Sequence, residues 1–225
     1  MKKLSFLIIP VLLSFIIVMT SAAPVNGDKE TERIHSASNV LKDFGAMKEG
    51  IPHKLISEYE GVVIIPRTIN AGFVVGAKRG KGIAIVKMPD GKWSDPVFVT
   101  LTGGSIGPQI GVQSVDLVLV FKHKGALAKV KNGDVTIGGD LAASAGPVGR
   151  AASANTDYKF EAEVYSYSRS RGLFAGITIN GSSLSIDKDA NHAYYGQGMS
   201  AHDIFETTKS NTVAVSHLKQ TLASL

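Results

Sequence analysis

Residues 103–107, Gly-Gly-Ser-Ile-Gly, match the letters G-x-S-x-G of the turn that holds the nucleophilic serine of many hydrolases. That chemistry needs a strand, a sharp turn and a helix whose N-terminus faces the oxyanion. Pro108 and the run Ile110-Gly111-Val112 instead predict extended chain after Ser105, so Ser105 reads as a serine in a glycine-rich strand. Residues 76–82 place glycines near Lys81 in a loosely phosphate-loop order, but the Walker spacing is not met and Gly82, not a hydroxyl residue, follows Lys81. His35, His53, His123, His192, His202 and His217 show no H-x-H or H-E-x-x-H spacing, and the chain has no cysteine to join them. The reading is therefore of a non-enzyme, with no catalytic residue, cofactor or local metal motif.

Charge carries more. Lys78, Arg79 and Lys81 lie on a glycine-flanked stretch that predicts a basic hairpin turn, and Lys122, His123, Lys124, Lys129 and Lys131 form a second group. Either can attract anionic lipid headgroups, at about 1 kcal/mol per cation near a charged surface. Either also fits a solvated turn that discourages edge association. Residues 115–121 are apolar on both parities apart from Asp116, which predicts a strand covered on both faces with an acid set into it. Such an acid needs a partner. Arg150, Arg169 and Arg171, beside glycines and apolar strands, supply candidates for a structural ion pair.

These groups need a scaffold. Nineteen of the 24 glycines lie between Gly61 and Gly181, which predicts a tightly turned β region flanked by helices. Before it, Ile34, Ala37, Leu41 and Phe44 recur at helical spacing, widened by Val40 and Met47, and Pro52 opens a second short helix. The β region reads as short strands at 62–65, ended by Pro66, then 72–77, 83–88 and 97–101, with Pro89-Asp90-Gly91 as a hairpin turn. Tyr158, Phe160, Ala162 and Val164 alternate, Tyr165 and Tyr167 continue on the other parity through a predicted bulge, and 173–179 and 184–186 flank an Asn180-Gly181 turn. Val213, His217 or Leu218, and Leu222 predict a last helix. The fold class is α+β: one domain with a strongly twisted, largely antiparallel sheet or barrel-like core between N- and C-terminal helices.

The first 23 residues have the three parts of a secretory signal: Lys2 and Lys3, an apolar run over 4–19, and Ser21-Ala22-Ala23 at the cleavage point. Export to a periplasmic or extracellular location is expected, with an uncleaved membrane anchor as the alternative. Cleavage removes two lysines and takes the formal charge from +5 to +3, too mild an excess for a nucleic-acid partner. A flexible lead over 24–32, a domain over 33–206 and a helical segment over 207–225 complete the predicted organisation.

Taken in order, Ala71-Gly72-Phe73, Gly80-Lys81-Gly82-Ile83, Pro89-Asp90-Gly91-Lys92-Trp93-Ser94, the 103–121 block, Gly138-Gly139-Asp140-Leu141, residues 145–150 and residues 168–176 resemble the SYLF domain. That domain occurs in yeast and animal SH3-containing proteins of actin patches and membrane ruffles, and as stand-alone bacterial proteins. The resemblance implies lipid binding, with phosphoinositides preferred in eukaryotic members and actin binding in the yeast type, and it implies no catalysis. The eukaryotic lipid contact is an amphipathic, lysine-bearing N-terminal helix, whose position here is about 33–47, with most of the lysines missing. Together with the basic stretch this makes Ile34, Leu41, Lys42, Phe44, Met47, Lys48, Lys78, Arg79 and Lys81 the expected lipid contacts. A phospholipid surface is the expected partner, an envelope protein the alternative, and actin is not expected for an exported chain.

Overall fold

The computed structural model describes residues 27–47, 50–130, 134–146, 162–170, 173–174, 179–206 and 210–225. Two very long strands organise it. β1 (Gly61–Val86) and β2 (Val97–Phe121) run antiparallel along their whole length, from Gly61↔Phe121 to Ala84↔Val97. The predicted short strands are thus segments of two continuous ones. Pro66 does not end a strand: the register shifts between Ile65 and Thr68, and Arg67 takes φ +52°, so the proline sits in a bulge. The predicted turn at 78–82 is likewise strand, with Lys78, Gly80 and Gly82 turned inward and Arg79 and Lys81 outward.

The ribbon made by β1 and β2 folds back on itself. Lys87 N–H, just past the end of β1, donates to the Glu60 carbonyl just before its start (2.7 Å). Gly82 allows the crossing: a Cβ there would collide with the Ile64 carbonyl oxygen and stand 2.8 Å from Ile65 Cα. The other edge of β2 is shared by β7 (Ser182–Ile186), which pairs with Val99–Gly103, and β5 (Val164–Ser170), which pairs with Asp116–Phe121. Among the described residues short strands complete a seven-stranded sheet: β3 (Val135–Ile137) on β7, β4 (Ala143–Ala145) parallel to β5, and β6 (Leu173–Phe174) antiparallel to it. The result is the expected α+β architecture, a largely antiparallel and nearly closed barrel-like sheet.

Alternate strand residues feed two cores. Val63, Ile65, Leu117, Leu119 and Phe121 pack with Val164, Leu184 and Ile204 on one face. Val62, Ile64, Val118, Val120, Tyr165 and Tyr167 face α1 (Asp28–Ala46), α2 (His53–Glu58), α4 (Lys188–Tyr195) and α6 (Val213–Ala223) on the other. The remaining helices among the described residues are α3 (Lys124–Val130) and α5 (Ala201–Glu206). The strand around Asp116 is therefore covered on both faces, as its apolar parities predict. The lead expected to be flexible over 24–32 is helical from Asp28 onward. The Pro89-Asp90-Gly91 turn forms, with Gly91 at φ +79° and Asp90 Oδ1 accepting Lys92 N–H (3.0 Å).

In α6 the periodicity holds with one change. Leu218 and Leu222 are buried beside Ala214 and Val215, while Val213 is exposed. Thr212 caps the helix by accepting from Val215 N–H (3.4 Å). The signal segment and the alternation at 158–160 lie outside the described residues, as do 175–178. Among the described residues no helix is long and apolar enough to cross a membrane.

Candidate anion-binding groove

Ile34, Ala37, Leu41 and Phe44 form the buried stripe of α1, packed on the sheet and on α6. Such a stripe is what holds a helix of this length in place, at about 1.5–3 kcal/mol per fully buried large side chain. Ile34, Leu41 and Phe44, expected among the lipid contacts, are placed in this core and have no exposed surface while α1 is docked. Met47 is half-buried against the same core, Lys42 is exposed, and Lys48 lies outside the described residues.

The opposite side of α1 meets β1 in a groove of about 640 Å³, and here cations gather. Lys29 and Arg33 come from successive turns of α1, Arg67 from the bulge, and Arg79 and Lys81 from the outward parity of β1, with Pro66 and Ile69 as the apolar part of the lining. Glu32 is the acid of the lining. Lys78, expected beside Arg79 and Lys81, points the other way into the protein, and burial holds its ammonium below the usual lysine range. It is not a groove residue.

Two of the groove cations share one carboxylate, and Glu30 adds a longer pair with Arg33 (3.9 Å). Asp187 Oδ2 accepts from Arg33 Nη1 (3.0 Å) and Lys81 Nζ (2.9 Å), and its Oδ1 caps α4 by accepting from Ala190 N–H (3.3 Å). Burial alone would raise the Asp187 carboxyl; the bonds from Lys81, Ala190 N–H and Arg33 outweigh it and hold the group below the usual aspartate range. Because the folded value is depressed, the stabilisation is complete above the pH at which the unfolded chain titrates and is lost as pH falls through the lower folded value. Asp187→Asn should therefore melt below wild type at neutral pH, with the gap closing below about pH 4 in thermal melts by circular dichroism.

Asp187 thus neutralises part of Arg33 and Lys81, whereas the side chains of Lys29, Arg67 and Arg79 make no ion pair among the described residues. Arg33 also lies over the Phe98 ring, 5.2 Å from its centroid, which fixes its head at the groove. Asn191 supports the arrangement from behind: its amide exchanges two hydrogen bonds with the Phe98 backbone (3.0 Å each) and donates to Asp187 O (2.9 Å).

A second ion-pair network holds the bulge. Asp116 stands opposite Arg169 across β2 and β5 and bridges it at 2.9 Å, which identifies Arg169 as the partner the sequence required. Arg150 and Arg171 lie outside the described residues. The same Arg169 Nη2 pairs with Asp43 of α1, and the guanidinium sits 5.7 Å from the Phe44 ring centroid. Asp116 Oδ1 also accepts Arg67 N–H (2.9 Å), holding the positive-φ residue that delivers a guanidinium to the groove. Asp116→Asn should cost about 1.5–3 kcal/mol, the scale of a hydrogen bond to a charged group, read as a lower midpoint in urea.

Sequence reasoning found Arg79 and Lys81 but not Arg67, Asp187 or Asn191. Lys29 and Arg33 had an available signal, four residues apart and thus on one helix face, away from the apolar stripe. Ser105 lies inside β2, paired with Gly76, with strand and no helix after it, so the nucleophile-turn geometry is not met. Among the described residues no group of three or more His, Asp or Glu side chains comes together as a metal site.

Comparison with known proteins decides the family. Residues 102–225 match the model of Ysc84, described as Las17-binding protein actin regulator. The chain belongs to the Ysc84 family, the SYLF-domain proteins. Across 193 residues it is 36% identical to the human SH3 domain-containing YSC84-like protein 1, covering 83% of this chain and 55% of that one. Across 184 residues it is 32% identical to LAS seventeen-binding protein 3 of Saccharomyces cerevisiae, covering 80% of this chain and 40% of that one. The chain thus spans about half the length, or less, of these curated relatives. Membership in the Ysc84 family gives an actin-regulator class at family level.

Proposed function

We propose that this chain is an exported, non-enzymatic SYLF domain that docks on anionic phospholipid surfaces through the groove between α1 and β1. The observation that carries this reading is the convergence of Lys29, Arg67 and Arg79, none of them ion-paired among the described residues, with Arg33 and Lys81, which share the Asp187 carboxylate. Against Glu30, Glu32 and Asp187 these five cations leave a net excess of two, which at about 1 kcal/mol each amounts to about a thirty-fold preference for an anionic over a neutral surface at low salt. Export rests on the three-part N-terminal signal.

The test is flotation of the mature protein with phosphatidylcholine vesicles, with and without phosphatidylglycerol. Flotation with the anionic vesicles alone, reversed by salt, is expected. Absence of flotation with either at low salt would overturn the reading.

The family description, which names a binding protein, favours a second reading: a protein-interaction module of the envelope. An exported chain does not meet cytosolic actin, so in that reading the partner is an envelope protein. Failure to float would leave this reading standing.

A further inference from the structure

Among the described residues the exposed large apolar side chains are Ile69 (44% exposed), Val112 (72%) and Val213 (82%). Two of the three are neighbours. Val112 on β2 stands opposite Ala71 on β1, and Ile69 lies two residues from Ala71, so all three share one face of the ribbon and Ile69 and Val112 are diagonal neighbours. The alternation supports this placement, since Thr68 and Asn70 on the opposite parity are buried.

The patch is continuous with the groove. Ile69 lines it together with Arg67 and Arg79, whose charges are not neutralised by an ion pair among the described residues. An apolar pair bordered by free cations matches the layering of an anionic membrane, with phosphates outside and acyl chains beneath. The helix that would otherwise supply an inserting face has Ile34, Leu41 and Phe44 committed to the core. We propose that Ile69 and Val112 form a wedge that enters the headgroup–acyl boundary of an anionic membrane, so that the β1–β2 ribbon, and not α1, is the inserting element. This rests on the lipid-surface reading above.

The chain has no cysteine, so one can be introduced and labelled without background. Val112→Cys carrying an environment-sensitive fluorophore should shift to the blue on adding phosphatidylglycerol-containing vesicles. The same label at Gln220→Cys, on the exposed side of α6, should not shift. The Ile69→Ser, Val112→Ser double variant should keep its melting temperature and lose about ten-fold in affinity for those vesicles. Undiminished binding of the double variant, with no shift at position 112, would overturn the wedge and leave the lipid-surface reading intact. Failure of wild type to bind anionic vesicles would overturn both.

Discussion

Gly82→Ala should prevent the ribbon from closing and lower stability by about 3 kcal/mol or more, the scale of severe overpacking in a core that cannot relax. The added Cβ would meet the Ile64 carbonyl oxygen, Ile65 Cα at 2.8 Å and Ile64 C at 2.9 Å, all of them backbone. A flexible side chain could swing aside, but these atoms belong to the buried start of β1 and are fixed by its ladder to β2. For a domain of about two hundred residues, 3 kcal/mol lowers the melting temperature by about 6–12 °C. Gly104→Ala is the control. That glycine lies in β2 with nothing within 4 Å of an added Cβ, so its variant should stay within about 0.5 kcal/mol of wild type. Equal effects at the two positions would mean that β1 does not cross over its own start.

Lys219→Met should be equally damaging for a different reason. Asp95, between the hairpin turn and β2, has a fully buried side chain, and its Oδ1 is paired with Lys219 Nζ of α6 at 2.6 Å. Its other oxygen accepts Ser210 N–H. Removing the lysine leaves a buried carboxylate with one backbone donor, and breaking a buried pair from one side costs about 3–5 kcal/mol. Asp95→Asn in the Lys219→Met background removes the stranded charge and should recover a substantial part of that loss. A double-mutant cycle in urea reads the coupling directly. Additive losses would show that the two groups do not act as a pair.

Elements governed by local pattern were legible in the chain: the apolar stripe of α1, the Asp-Gly turn after β1, the doubly covered strand around Asp116. Even the partner of Asp116 was among three arginines named from composition. What was not legible is the length of β1 and β2, because Pro66 and the glycines at 80 and 82 look like strand ends. They are instead a bulge and a crossing point, and the difference depends on Asp116 holding Arg67 N–H and on Ile64 lying beneath Gly82.

The groove was half legible. The outward parity of Arg79 and Lys81 follows once 78–82 is strand, and the same parity removes Lys78 from the site. Asp187 could not be found, since it lies 154 residues from Arg33 and 106 from Lys81. Asn191 and Asp95 were hidden in the same way, with partners 93 and 124 residues away. A single sequence reports spacing along the chain, and these bonds are made by topology.

The groove itself is tested most directly by exchanging Arg67 and Arg79 together for glutamine and repeating flotation with phosphatidylglycerol-containing vesicles at low salt. Neither guanidinium is ion-paired among the described residues, so the melting temperature should hold while binding falls by about ten-fold or more, and the residual binding should depend less steeply on salt. A double variant that folds and floats as well as wild type would contradict the assignment of this groove as the membrane-binding surface.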